Sequence, residues 1–188
     1  MDKQTEEILQ KIEEAEYVLV GLGQEFDMEF FLQSREDYRR IREQLQQQNV
    51  LWLLPYVEEQ FRRQYLPEME AEIEKGLQKL AKVLEKKSYF VVSSSLNHKL
   101  AEVPWKKMLL KKERFVAPCG DWTKKQCPDG CEEGIQTVTE ADEEQLQESF
   151  KKLQTNGFSV PDLGKCPKCG KKLVLNNVYA GRYDEKGY

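Results

Sequence analysis

Apolar residues recur every three or four positions in some stretches of the chain and gather into short runs in others, and this alternation sets the expected architecture. From Pro67 onward, Met69, Ile73, Leu77, Leu80 and Leu84 follow helical spacing, which predicts an amphipathic helix with its apolar stripe on a core. Pro67 suits the first turn of that helix, where a missing amide costs nothing, and Lys86 and Lys87 complement its negative end. Nearer the N-terminus, Ile8, Ile12 and Ala15 share one face of a glutamate-rich helix over 2–16. Each helix leads into a short apolar run. Tyr17–Val20 ends at Gly21-Leu22-Gly23, and Tyr89–Val92 gives way to Ser93-Ser94-Ser95. Both runs read as buried strands, the first closed by a glycine turn.

Helix followed by strand, twice, predicts a parallel sheet with helices packed outside it. Ligands of such sheets gather beyond the C-terminal ends of the strands. Gly21–Gly23 and Ser93–His98 are therefore expected to lie side by side as candidate binding loops. Between the two units, the charged run Arg35–Glu43 reads as a helix, and Val50–Leu54 as an apolar patch stopped by Pro55. After about residue 115 the character changes to cysteine, glycine and proline. One helix interrupts that region: Thr139 and Asp142 form a capping signal, and Leu146, Phe150 and Leu153 its apolar stripe.

At 188 residues the chain fits one ordinary domain, or one with a small inserted module. Hydrophobic residues make up 39% and charged residues 33%, enough for a core under a highly charged surface. The formal charge of −4 gives no electrostatic footprint for nucleic acid or an anionic membrane. No run approaches the roughly 18 apolar residues of a membrane span, and MDKQTEEILQKIEEAE is too acidic for a signal peptide. A cytoplasmic protein without membrane contact is expected. Five cysteines agree, because an odd number containing two close pairs suits metal ligands better than disulfides.

Those pairs are Cys127-x3-Cys131 and Cys166-x2-Cys169. Thiolates so spaced can turn onto one tetrahedral Zn²⁺, with Pro128, Asp129, Gly130, Pro167, Lys168 and Gly170 supplying the tight knuckles. The alternative is four buried cysteines without metal, which the turn-forming neighbours disfavour. No histidine lies nearby to complete an open hydrolytic site, so the metal is expected to be structural. His98, the only histidine, is either a hydrogen-bonded strand-end residue or a group titrating near neutrality. Cys119 is either a buried bystander or a redox-sensitive thiol. Lys106–Lys112 reads as a solvated helix face beside Glu113. Lys165, Lys168, Lys171 and Lys172 form a basic group without interleaved aromatic residues, so nucleic acid is not the expected partner.

Four blocks also carry a family resemblance. Ala15–Gly23, AEYVLVGLG, resembles the opening strand of sirtuins and its Gly-Ala-Gly turn. Tyr89–His98, YFVVSSSLNH, resembles the strand and loop that reads T-(T/Q)-N-(V/I)-D-(H/G) in that family. Phe115–Trp122, continuing to Gln126-Cys127, is similar to the segment joining the catalytic histidine-glycine to the first zinc cysteine. Cys166–Asn176 resembles the CPxCG-x-x-(M/L)-x-x-N close of the zinc module. The blocks occur in the family's order, cover most of the chain, and look most like divergent bacterial sirtuins that accompany macrodomain proteins.

The resemblance implies an α/β fold. A partial Rossmann-like parallel sheet flanked by helices would occupy 1–118, and a four-cysteine zinc-ribbon module with an intervening helix 119–188. It also implies NAD as cofactor and transfer of an ADP-ribosyl or acyl group with release of nicotinamide. Gly21, Gly23, Ser93, Ser95, Asn97 and His98 fall at cofactor-binding positions.

The departures concentrate on the chemistry. Glu25 replaces the loop serine after the glycines, and would place negative charge near a pyrophosphate unless its side chain turns away. Ser95 and Asn97 replace the asparagine and aspartate that hold nicotinamide and ribose in the family. Cys119 stands where the family has its general-base histidine. A thiol of pKa about 8.5 does not reproduce imidazole's proton transfer near neutrality. The family's later strands would follow Tyr188, so the chain reads as shortened. The expected function is a degenerate sirtuin-like protein with structural zinc, retaining nucleotide (NAD-like) or protein binding without ordinary deacetylation. Two alternatives remain beside it: an active NAD-dependent ADP-ribosyltransferase or deacylase, and a zinc-ribbon module for protein interaction or nucleic acid.

Overall fold

The helix–strand units form as their periodicity predicts. In the computed structural model, which describes residues 3–23, 26, 29–100, 112–131 and 135–180, α1 (Lys3–Glu14) leads into β1 (Tyr17–Leu22). Glu25, the lysines from Lys106 to Lys111 and residues 181–188 lie outside the described residues. β1 continues through Gly21 to Leu22, so the glycine expected to turn the chain is a strand residue. It runs parallel to β2 (Ser88–Ser93), with Tyr17 opposite Ser88 and Leu22 opposite Ser93. The short β3 (Phe115–Val116) joins β2 in parallel, giving the order β1-β2-β3.

A helix labelled α5 (Pro67–Leu84) covers one face of this sheet. Leu77, Ala81 and Leu84 pack with Val18, Val20, Leu22, Tyr89 and Val91 in one apolar cluster. The strands are half-buried, not enclosed on both faces as their continuous apolar runs suggest. Side chains alternate across a pleat, and Tyr17 and Leu19 on the far face remain 73% and 75% exposed. α1 fully buries none of its residues, and on the predicted face Ile8 is exposed while Ile12 and Ala15 are half-buried.

The segment between these units is helical: α2 (Glu29–Leu32), α3 (Glu36–Gln47), a 3-10 turn over Leu51–Leu53, and α4 (Leu54–Tyr65), which precedes α5. Pro55 does not stop the apolar patch. It sits in the first turn of α4, where its fixed φ suits the helix. Asn49 leaves α3 at φ 58°, the left-handed position asparagine tolerates, and the Val50 amide closes onto the Leu45 carbonyl at 2.9 Å.

A second, antiparallel sheet holds the cysteine region. β4 (Gly120–Gln126) lies between β5 (Gln136–Thr137) and β6 (Val174–Asn177). Gly120 has φ 72°, and a Cβ there would overlap the Asn176 carbonyl oxygen, so β4 must begin on a glycine. α6 (Glu140–Gln154) opens on the predicted capping box, the Thr139 amide donating to Asp142 Oδ2 at 2.8 Å. Leu146, Phe150 and Leu153 share one core with Tyr38, Ile41 and Leu45 of α3, Phe61 of α4, and Trp122, Leu163 and Leu175. Among the described residues no helix is long and apolar enough to cross a membrane.

Asp142 also accepts from buried Lys125 on both carboxylate oxygens, at 2.8 and 2.7 Å, and Lys125 reaches the Leu163 carbonyl at 2.9 Å. Burial opposes the Asp142 charge, but Lys125 and Thr139 outweigh it and hold the carboxyl below its ordinary range. A depressed folded-state pKa stabilises above the unfolded value of ~3.9, and that contribution is lost as pH falls through the depressed value. Asp142→Asn should therefore lower urea stability at neutral pH and flatten its decline below about pH 4. An acid limb as steep as that of the unmodified protein would show that the pair does not form.

Candidate functional site

Two loops bring the four cysteines together. Cys127 follows β4, and the next residues turn tightly: Gly130 sits at φ 67° with its amide on the Cys127 carbonyl at 2.9 Å, and the Asp129 amide points at Cys127 Sγ at 3.4 Å. The second pair sits on a narrow hairpin. The Cys166 amide donates to the Lys171 carbonyl at 2.8 Å, and the Gly170 amide to Cys166 at 2.9 Å. All four sulfurs lie within 4.8 Å of one another, with Cys127 and Cys169 at 3.4 Å.

A tetrahedral thiolate site with Zn–S of ~2.3 Å spaces its sulfurs by ~3.8 Å. The residues present thus fit a metal ion, and the donor set is consistent with zinc. Cys127 and Cys166 are buried, Cys131 is half-buried, and Cys169 is exposed. Burial opposes charge on Cys127, yet the Cys131 and Asp129 amides and the neighbouring thiols bring it down to about 6. Cys131, hydrogen-bonded to Cys127, is pushed up to about 12. A cation at the centre would relieve this competition, because every sulfur could then carry charge.

The predicted binding loops also meet. Ser94 donates its amide to the Leu22 carbonyl at 2.9 Å, placing the C-terminal ends of β1 and β2 together. Gly23 follows β1 there, while Gly21, opposite Val92, has no atom within 4 Å of where a Cβ would be. The Ser93–His98 loop is held by its own side chains. Ser93 Oγ accepts the Ser95 amide at 3.3 Å, and Ser95 Oγ accepts the Asn97 amide at 3.1 Å. Asn97 Oδ1 accepts the Lys99 amide at 3.1 Å and Arg62 Nη1 at 2.8 Å. His98 is buried, and its Nδ1 accepts the Trp122 indole N–H at 3.1 Å. In this contact Nδ1 acts as the acceptor, the part played by the unprotonated ring nitrogen of an imidazole.

Behind this loop lies a charged group that sequence reasoning missed. Glu58, Glu59 and Arg62 of α4 are all buried. Arg62 pairs with Glu59, and Glu59 also takes Arg63 Nε at 2.5 Å. Glu59 Oε2 lies 3.7 Å from His98 Nδ1, and the Tyr38 hydroxyl donates to Glu58 at 2.6 Å. Burial, reinforced by the Glu58 carboxylate, drives the Tyr38 phenol far above its ordinary range. Glu58, Glu59, Arg62, Asn97, His98 and Trp122, with Pro55 and Leu96, line a cavity of about 20 Å³, room for one water. The available signal was the placement of carboxylates and arginines at i, i+3 and i+4 among Leu54, Val57 and Phe61. Cys119 is not among the residues lining this cavity. It sits in the turn before β4, where its carbonyl accepts the Val178 amide at 3.0 Å.

No protein-family model and no curated protein matches the sequence. Among solved structures, one from work on the structural basis for sirtuin substrate affinity is similar to this chain over 97% of its length. The identity is 15% and the TM-score 0.48, and the chain spans 65% of that chain.

Proposed function

We propose that the chain is a sirtuin-like protein built around a structural zinc ion, which binds a nucleotide of the NAD type or a protein at its strand ends and does not catalyse ordinary deacetylation. The observation that carries this reading is the convergence of Cys127, Cys131, Cys166 and Cys169 within 4.8 Å from two separate segments. An all-thiolate set suits zinc and leaves no position open for water or substrate, so the ion cross-links the fold and takes no part in a reaction. Residues 119–188 are the metal module in this reading, and 1–118 the Rossmann-like part that binds the ligand.

Adjacent C-terminal ends of parallel strands support nucleotide binding at Gly21, Gly23, Ser93, Ser95, Asn97 and His98. The chemistry is less well provided. His98 Nδ1 is committed to Trp122 and Asn97 to Arg62, while Cys119 stands apart from their cavity. Loss of a positioned general base alone costs ~10²–10⁴-fold in rate.

Metal analysis of the purified chain should give one zinc per molecule. Calorimetric titration with NAD should show binding, and an NAD-dependent deacylation assay should show no turnover of the sirtuin kind. Well under one zinc would sink the metal reading. Turnover abolished by Cys119→Ala would replace the binding module with an enzyme.

A further inference from the structure

One charged pair touches both halves of the cysteine cluster. Lys171 Nζ donates to Asp129 Oδ1 at 2.7 Å. Asp129 lies between Cys127 and Cys131, whereas Lys171 follows Cys169 and Gly170, so the pair bridges the two knuckles. The backbones of the same two residues already serve the cluster. The Asp129 amide donates to Cys127 Sγ at 3.4 Å, and the Lys171 carbonyl accepts the Cys166 amide at 2.8 Å. Fixing the two side chains therefore fixes both backbone contacts.

The cluster is also lopsided, with Cys127 and Cys166 buried and Cys169 exposed. A metal leaving it must do so where water and competing ligands can reach, at the Cys169 edge. Resting on the zinc reading above, we propose that the Lys171–Asp129 pair is a latch across the two knuckles that slows release of the bound metal through that edge.

An exposed ion pair contributes little to global stability, and both side chains here are about half exposed. Metal release, however, requires only local separation of the knuckles. That opening breaks this pair and takes the Lys171 ammonium, two residues along the chain from Cys169, away from the knuckle of Cys127 and Cys131. Four thiolates around a divalent cation carry net negative charge, so losing a neighbouring cation is unfavourable. Partners outside the ligand shell typically change metal affinity by ~10–100-fold.

The test is the rate at which the zinc-loaded full chain transfers its metal to excess 4-(2-pyridylazo)resorcinol. Lys171→Met and Asp129→Asn should each speed transfer about tenfold, and the double variant should be no faster than either single one. Lys168→Met, an exposed lysine of the same knuckle, should transfer at the unmodified rate. Single variants at the unmodified rate would remove the latch while leaving the metal site intact. Equal acceleration by Lys168→Met would show an effect of bulk charge and also overturn it. A purified chain without zinc would instead overturn the metal reading, and the latch with it.

Discussion

Replacing Arg62 with alanine is expected to cost the folded chain about 3–5 kcal/mol, the usual effect of stranding one partner of a buried ion pair. Arg62 is 2% exposed and Glu59 4%. The guanidinium pairs with Glu59 and donates to Asn97 at 2.8 Å, so truncation removes the loop's anchor as well as the countercharge. Arg63 reaches the same carboxylate, but its side chain is half in solvent and replaces only part of the lost interaction. Against a total stability of about 5–15 kcal/mol, the loss should be obvious in the urea midpoint. The double variant Glu59→Gln with Arg62→Met should recover much of it, because burying two neutral groups avoids the unpaired charge. A single variant within about 1 kcal/mol of the unmodified protein would mean that the pair is solvated, as exposed pairs are. Amide exchange over Ser93–His98 gives an independent reading: it should quicken in Arg62→Ala if Arg62 holds that loop.

That pair also marks where sequence reading ran out. The helix over Pro67–Leu84, the two strands and the capping box at Thr139 were legible, because each is written in local spacing. The cysteine knuckles were legible for the same reason, and so was the meeting of the two strand-end loops, which follows from parallel pairing. Glu58, Glu59 and Arg62 look like ordinary surface residues, and only long-range packing against Asn97, His98 and Trp122 reveals them as interior. Pro55 was misread because a proline after an apolar patch can end one element or begin the next. Pro55 sits in the first turn of α4, directly after the 3-10 turn over Leu51–Leu53. Tyr17 and Leu19 look buried, but an apolar run cannot say whether anything covers the second face of its sheet. Cys119 was singled out by its place in a family pattern, and the fold leaves it outside the cavity that His98 shares with α4.

Removing the metal should have the other large effect, and the division of the core predicts where it spreads. In small zinc modules the ion supplies ~10–16 kcal/mol of binding free energy that is also folding free energy. Here Cys127 and Cys166 are buried in the same apolar cluster as Trp122, Leu146, Phe150 and Leu173, together with Tyr38, Ile41 and Phe61 from α3 and α4. Cys127→Ser puts a hydroxyl in place of a buried thiolate and leaves three ligands. Loss of order should therefore pass from the knuckles and β4 into α6 and the α3–α4 segment. Among the described residues, the cluster formed by α5, β1 and β2 shares only the partly buried Ile73 with that core, so its amides should keep most of their protection. Cys169→Ser, at the exposed corner, should act in the same direction but more weakly, because water can complete a three-thiolate site. Hydrogen exchange on the chelated, unmodified chain separates metal loss from damage by substitution, since no side chain has changed. If chelation leaves β4 and α6 as protected as before, the fold does not depend on the ion. The four cysteines would then be a binding site carried on a self-sufficient core.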